Sequence, residues 1–390
     1  MEIRLVDKDE EFFCLRDKWN TILKKSNQDC FFLTWEWVYT WWKELKNDSE
    51  LYILLALEKE EIYGIAPLVK TKERIFKIVR TMKITFLGQG EPADSDYLNF
   101  IIYPEKEEEI LSLFAEYLKK DKKSWDVIDL ADILDDSYLV SIFCENLKKN
   151  RLVFSVNHVA ESGPYIIVPD TWESYLNSIG HKTRYNLRKF NRKLKNDHKV
   201  VFKKIEEEKL IKENFDKFVT MHKERWEEKG EFNYFLMPYF DRFNIEIMKL
   251  TLEKDWLEFY VLMIDGREEG YLYGFKYNGK IYGYQATVSK NYEKYGIGML
   301  QISYWIKSSI ERKLLEFHFL SGDEPHKYKF TKMSKRFINI LVTKENIKGL
   351  MIRLEDTLFL LRSFISMKVK SSEYLSKLAR RIKIFIKTET

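Results

Sequence analysis

The segment Ile281-Tyr282-Gly283-Tyr284-Gln285-Ala286-Thr287-Val288, continued by Ser289-Lys290-Asn291-Tyr292-Glu293-Lys294-Tyr295-Gly296-Ile297-Gly298-Met299-Leu300, constrains the fold more than any other. An aromatic and β-branched run ends in a polar loop. Gly296 and Gly298 then open a long amphipathic stretch. Strand, glycine-bearing loop, helix: this order builds an anion cradle. The first N–H groups of a helix have no partner inside it, and the helix dipole adds partial positive charge there. Glycine lets a phosphate reach the backbone without meeting a Cβ. A diphosphate-bearing ligand is the first expectation. The plain alternative is an ordinary strand-to-helix turn.

The surroundings predict a meander of Trp256–Ile264, Glu268–Tyr277 and Lys280–Val288, turned by Asp265-Gly266 and Asn278-Gly279. A helix over Gly296–Arg312 and strands over Leu314–Phe319 and Arg336–Thr343 follow. Before the meander come helices at Thr171–Ile179, Lys182–Lys195, Glu207–Glu228 and Pro238–Leu252, with a strand at Val200–Lys204. The first half alternates similarly. Strands are expected at Glu2–Val6, Leu51–Leu57, Ile62–Val69, Ile75–Val79, Lys83–Leu87, Tyr97–Ile102, Asp126–Leu130 and Leu152–Val159. Helices are expected at Asp9–Lys24, Trp35–Leu45 behind Thr34 as cap, Glu105–Lys119 and Ser137–Lys149. The two halves share the order helix, strands, loop, helix, strand, which suggests a duplicated fold. Ser162-Gly163-Pro164 breaks the pattern, so the expected units are 1–163, 164–343 and a helical tail, 344–390. In that tail Leu350, Leu354, Leu358, Leu361 and Ile365 form one apolar stripe.

Charge narrows the function classes. The net charge is +5, yet residues 344–390 hold 11 Lys and Arg against 5 Asp and Glu, leaving the rest at −1. Polyanion binding is therefore expected only of the tail and of one helix with Lys182, Arg184, Arg188, Lys189, Arg192, Lys193 and Lys195. A solvated face is the alternative for that helix. Cys14, Cys30 and Cys144 are odd in number and far apart, which suits a reducing cytoplasm. The N-terminus lacks an apolar signal core. The seven-residue run Leu51–Leu57 falls well short of the ~20 needed to span a bilayer. The six histidines show no ligand spacing, so no metal is expected. No nucleophile elbow or P-loop pattern occurs. Trp35, Trp37, Trp41 and Trp42, at helical spacing, read as core rather than a cleft.

The order meander, diphosphate-type loop, helix, strand resembles motif A of the GNAT acyltransferase superfamily. The family loop, Arg/Gln-x-x-Gly-x-Gly/Ala, is met by Glu293-Lys294-Tyr295-Gly296-Ile297-Gly298, with Glu293 standing where a cationic or amide side chain is usual. That carboxylate is expected to turn outward or to pair with Lys290 or Lys294. Within GNATs the chain resembles the CelD-type family, related to the FemAB transferases. That resemblance rests on Phe32-Leu33-Thr34-Trp35-Glu36-Trp37, Asp96-Tyr97-Leu98-Asn99-Phe100, Met221-His222-Lys223-Glu224-Arg225-Trp226 and the stretch Phe317 to Lys329, where His318 replaces a frequent acid. It covers about residues 1–343. It implies an α/β (α+β) fold of tandem GNAT-like domains, each a mixed, mostly antiparallel twisted sheet flanked by helices, with the tail outside it. The N-terminal domain is expected to lack its own coenzyme A site.

The implied activity is N-acyl transfer, chiefly acetyl, from acetyl-CoA or another acyl-CoA to an amine. An amino sugar of cell-envelope or polysaccharide metabolism is the acceptor class that the family suggests. Such chemistry needs a polarised thioester, usually by a strand N–H, and the end at Ala286, Thr287 and Val288 suits this. The diphosphate would sit on the N–H groups around Lys294, Tyr295, Gly296, Ile297, Gly298 and Met299. The acceptor amine attacks only when neutral, and its pKa is near ~10.4. Candidate bases are His222, Glu224 and Glu324. Tyr328 is the candidate acid for the leaving thiolate. Arg225, Trp226, Asp323 and Lys329 are candidates for acceptor binding. Two other readings stay open. One is a FemAB-like transferase taking its acyl group from aminoacyl-tRNA, motivated by the basic helix. The other is a non-catalytic scaffold whose basic tail meets an anionic membrane or a protein partner at the inner membrane face.

Overall fold

A computed structural model describes residues 1–227 and 234–371. The meander forms as expected, with Leu257–Ile264, Arg267–Tyr277 and Lys280–Val288 pairing antiparallel. Both turns adopt the positive φ that a tight hairpin demands, at Asp265, Gly266, Asn278 and Gly279. Lys280–Val288 then runs parallel to Glu316–His318, joined to it through the helix Ile297–Glu311. The first half repeats this plan: Val79–Phe86 runs parallel to Val127–Leu134 through the helix Glu107–Lys120.

The halves are fused through the sheet. Val153–Ile167 is one 15-residue strand. It pairs with Glu316–His318 at its far end and with Met333–Thr343 along most of its length. Met333–Thr343 in turn pairs with Val127–Leu134 of the first half. Among the described residues the result is one eleven-stranded sheet, with a separate four-stranded sheet at the amino end. The boundary expected after Gly163 therefore falls inside a strand. Gly163 marks a close approach rather than a break: a Cβ there would lie 3.0 Å from the Phe337 ring. Local expectations also shift, and the strand expected over Ile62–Val69 breaks at Pro67 into Glu61–Ala66 and Leu68–Ile75, which join different sheets. Residues 76–78 form a turn rather than a strand, Leu15 splits the first helix in two, and only Ile101–Ile102 of 97–102 is strand.

One hydrophobic core runs from the first half onto one face of the meander. Phe31 stacks on Phe275 at 3.9 Å, and Trp37 packs edge-on against Phe275 and Tyr284. Trp35, Trp37, Trp41 and Trp42 are all buried in this core. The helices Glu208–Glu227 and Pro238–Glu253 contribute Phe215, Phe218 and Phe243 to the same side. A second core, with Leu272, Trp305 and Phe317, fills the opposite face beneath Ile297–Glu311. Of the expected tail, the helix Ile347–Ser371 is described. Residues 372–390 of that expectation lie outside the described residues.

Candidate active site

The parallel pairing of Lys280–Val288 with Glu316–His318 lasts three residues, ending at Tyr282 and His318. Beyond it the two chains part. The strand 280–288 stays with Arg267–Tyr277, while Phe319 and Gly322 donate their N–H groups to Pro164 and Ser162 carbonyls, following Val153–Ile167. A bulge at Tyr273/Gly274 increases the divergence, leaving Tyr284 as the extra residue. From Gly283 onward the strand 280–288 has, among the described residues, no strand partner along one edge. The wedge between the parted chains holds a cavity of about 790 Å³.

Its walls come from both faces of the sheet. Gly298, Met299, Gln301, Ile302 and Trp305 belong to the helix Ile297–Glu311 on one face. His222, Arg225 and Trp226 end the helix on the other. Gly283, Tyr284, Gln285 and Ala286 form the open edge, and Ser321, Glu324, His326, Lys327 and Lys329 line the loop that leaves it. A neighbouring hollow of about 600 Å³ shares Arg225 and is lined by Glu224, Val288 and Lys290.

The two cradle glycines do different work. Gly296 sits at φ 61°, and a Cβ there would meet the Phe190 ring at 2.7 Å. Gly298 faces the cavity, and a Cβ there would meet only Val288 Cγ2, at 3.6 Å. The helix they open has no acid in its first turn. The equivalent first-half helix begins with Glu107, Glu108 and Glu109, which oppose an anion. Glu293 is exposed. The Tyr295 side chain is structural: its hydroxyl donates to Asp197 at 2.9 Å and meets His198 Nε2 at 3.1 Å. Ile297 is buried, and Lys294 lies over the Tyr295 ring at 5.1 Å. The Tyr295, Gly296 and Met299 N–H groups donate to the Tyr292, Glu293 and Gly296 carbonyls, which leaves the Ile297 and Gly298 N–H groups to a ligand.

Polar groups point to what the cavity accommodates. Gln301 Nε2 donates to the Thr287 carbonyl at 3.2 Å, while Gln301 Oε1 and Thr287 Oγ1 are buried without partners among the described residues. Leaving such atoms bare is costly, so a ligand with amide donors fits beside Gln301. Gly270 accommodates that side chain, since a Cβ there would lie 2.5 Å from Gln301 Oε1. The open glycine, the bare amide oxygen and the free strand edge together suit a pantetheine arm ending in a diphosphate.

The loop side is cationic. Burial lowers the His326 pKa, and Lys327, Lys329 and Arg225 add to that against the opposing pull of Glu324. Burial pushes the Glu324 carboxyl up, but Lys327 at 2.9 Å outweighs it and holds the group below its ordinary value. His222 is buried, with its ring stacked on Trp226 at 5.2 Å and edge-on to Phe235.

The structure brings His222, Arg225, Trp226, Glu324, Lys329, Ala286, Gly298 and Met299 to one cavity. Val288 and Glu224 line the adjoining hollow. Tyr328 and Asp323 are not brought there: the Tyr328 hydroxyl meets Asp323 Oδ1 and Ser162 Oγ, each at 2.6 Å, away from the cavity walls. His318 lies on the first-half face, bonded to Tyr97 and Glu316. Gln301 and Trp305 are wall residues that the sequence does not single out, although their spacing from Gly298 places them on its helix face. The basic helix His181–Asp197 does more than present cations to solvent, because it also buttresses the cradle. Phe190 packs on Gly296, Asn191 accepts from the Tyr304 hydroxyl at 2.7 Å, and Lys193 lies over Tyr295. Among the described residues no cluster of His, Cys, Asp or Glu is placed to hold a metal.

Residues 181–328 match the family model described as an acetyltransferase (GNAT) domain. That span contains the basic helix, the meander, the cradle and the loop to Tyr328. Among solved structures the chain is similar to FemX, with a TM-score of 0.61 and 11% identity over 91% of this chain and 100% of that one. It is similar to a conserved protein of unknown function from Bacteroides thetaiotaomicron, at TM-score 0.53 and 12% identity over 87% of this chain and 100% of that one. A third likeness is to L-PGS from Bacillus licheniformis, at TM-score 0.51 and 11% identity over 87% and 96% of the two chains. At these identities the likeness is one of fold. No curated protein matches the chain. Residues 181–328 of the second half are thus similar to a GNAT acetyltransferase domain, within a mixed α/β fold whose two halves repeat one plan.

Proposed function

We propose that this protein is an N-acyltransferase that moves an acetyl or similar acyl group from acyl-CoA to an amine. The observation that carries this reading is the cavity passing through the open strand edge, with the glycine cradle on one face and His222 on the other. When bound, the acyl-CoA would supply an acyl carbon activated by its thiolate leaving group. The first helical N–H groups, of Ile297 and Gly298, would hold the diphosphate, and Gln301 would take an amide donor of the pantetheine. The free edge of the strand at Gly283–Ala286 would orient and polarise the thioester.

His222 is our choice of base. It stands on the face opposite the cradle helix, where an acceptor reaching through the wedge would arrive. Glu324 is already engaged by Lys327, and a depressed pKa makes it the weaker base. Arg225, Trp226 and Lys329 would orient the acceptor. Burial, with Asp94 and Asp96 adding, pushes the Tyr284 hydroxyl far up, so the tyrosine at the wedge stays protonated. Its place on the cavity wall, where Tyr328 is not, favours Tyr284 over Tyr328 as the proton donor nearest the leaving sulfur. An amino sugar of envelope or polysaccharide metabolism, as in CelD-like transferases, is the acceptor class we favour. A cytoplasmic setting agrees with three free cysteines.

The test is amine-dependent release of free thiol from acetyl-CoA, measured over a panel of amino sugars and simple amines. His222→Ala should lower kcat by roughly 10²–10⁴, and Glu324→Gln by less. No amine-dependent release from any acyl-CoA would contradict the reaction class.

A second reading takes the acyl group from aminoacyl-tRNA. The basic helix packed against the cradle favours it, because Lys193 lies over Tyr295 of the cradle loop and Lys189 and Arg192 line a hollow on the same helix. Salt-dependent tRNA binding, abolished by Lys189→Glu with Arg192→Glu, would support it. Indifference to tRNA would remove it.

A further inference from the structure

The helix Ile347–Ser371 is mounted with polar groups toward the body. Asp126 receives Lys344 and Lys348, each at 3.3 Å. Glu355 accepts the Phe76 N–H at 2.7 Å, Asp356 accepts from Asn157 at 3.1 Å, and Arg353 donates to Thr343 Oγ1 at 2.6 Å. Ile352 is the buried apolar contact on that side. The apolar stripe faces out, except that Leu358 also reaches the edge of a cavity of about 880 Å³ between the helix and the body. Ile347, Leu350, Leu354, Leu358 and Leu361 follow one another at spacings of three and four, with exposures from 36% at Leu358 to 79% at Ile347. Phe359 lies instead on the side of Ile352 and Glu355, where with Leu358 and Leu360 it lines that cavity. A helix docked on a water-soluble body ordinarily presents these faces the other way round.

Charge identifies what covers such a face. Residues 344–390 hold a surplus of six cations, in a chain whose remainder is −1. Past the described helix the sequence carries Lys377, Arg380, Arg381, Lys383 and Lys387 against Glu373 and Glu389. A second copy of this chain would bring the same surplus to the same face, and like charges would oppose it. A lipid surface offers apolar depth beneath negative headgroups, which matches a leucine stripe followed by cations. No helix among the described residues is long and apolar enough to cross a membrane. We infer that the helix 347–371 lies flat on an anionic lipid surface with its leucine stripe inward, tethering the transferase there.

The experiment is sedimentation of the full chain with phosphatidylcholine vesicles, with and without phosphatidylglycerol. Binding is expected only with phosphatidylglycerol and should weaken with salt. The exposed pair Leu350→Glu with Leu354→Glu should weaken it on the order of a hundredfold, about tenfold for each lost leucine, with an unchanged melting curve. Replacing the five cations of residues 377–387 by Gln, with the stripe intact, should also reduce it. Absence of binding to phosphatidylglycerol vesicles overturns the inference. So does a self-associated species in light scattering that the leucine pair dissolves while vesicle binding stays unchanged.

Discussion

At the residue scale, Gly296 and Gly298 look alike in sequence and differ in function. Both are legible there, because a helix start that receives an anion is backbone chemistry. Their separate duties are not: Gly296 answers to a φ of 61° and to Phe190, which lies about a hundred residues earlier in the sequence. Gly296→Ala should cost about 1–3 kcal/mol in urea unfolding, from the left-handed backbone and the ring contact together. In a Phe190→Ala background the same substitution should cost less, leaving mainly the backbone share. Equal costs in both backgrounds would contradict the contact. Gln301 is hidden for another reason. A polar residue on a buried helix face looks like any satisfied amide until its oxygen is seen without a partner. Tyr328 and Asp323 attract attention by their nearness to a strand end, but side-chain direction in a loop follows no period. The structure turns both toward Ser162.

At the element scale, the helix Ile297–Glu311 is held at its far end by a buried ion pair. Glu258 is fully buried and takes two bonds from Arg312, at 2.8 and 2.7 Å. The Trp305 indole donates to the same carboxylate at 3.1 Å, so one acid anchors both the helix end and a cavity wall. Burial pushes the Glu258 pKa up, and Arg312 more than reverses this, keeping the acid ionised. Arg312→Met should destabilise the fold by about 3–5 kcal/mol, since it leaves a buried charge with Lys204 as its remaining cationic partner. A loss below roughly 1 kcal/mol, as for an exposed pair, would contradict this account. Strand and hairpin elements are legible in the sequence because Asp-Gly and Asn-Gly demand one geometry. The tail helix is legible as a stripe, but a period says nothing about which way the stripe turns. Its docking is decided by Asp126, more than two hundred residues earlier.

At the scale of the whole molecule, the two halves share one sheet and a polar joint beside the wedge. His318 lies between the Tyr282 and Tyr165 rings. Tyr97 of the first half meets its Nδ1 at 2.9 Å and Glu316 meets its Nε2 at 2.8 Å. Neutral imidazole satisfies both, accepting from the tyrosine and donating to the carboxylate. Burial lowers the His318 pKa from 6.5 to about 4, against the pull of Glu316. The unfolded chain therefore takes up this proton first as pH falls, and stability is lost between those two values. The contribution is roughly 2 kcal/mol from about pH 7 to about pH 5. His318→Gln should flatten the urea midpoint over that window, and an unchanged slope would rule out His318 as its source. The duplicated order is legible in the sequence, whereas the shared strand is not, because Ser-Gly-Pro resembles a linker until its partner strand is known. The most direct measurement of the central claim is calorimetric titration of the full chain with acetyl-CoA, beside Gly298→Trp. Gly298 has open space on the cavity side, so the indole should fill the cradle without unfolding the chain. Saturable binding is expected in the roughly micromolar-to-millimolar range usual for substrates, abolished in a Gly298→Trp protein of unchanged melting temperature. Absence of binding at millimolar ligand, or equal affinity in the two proteins, would contradict it.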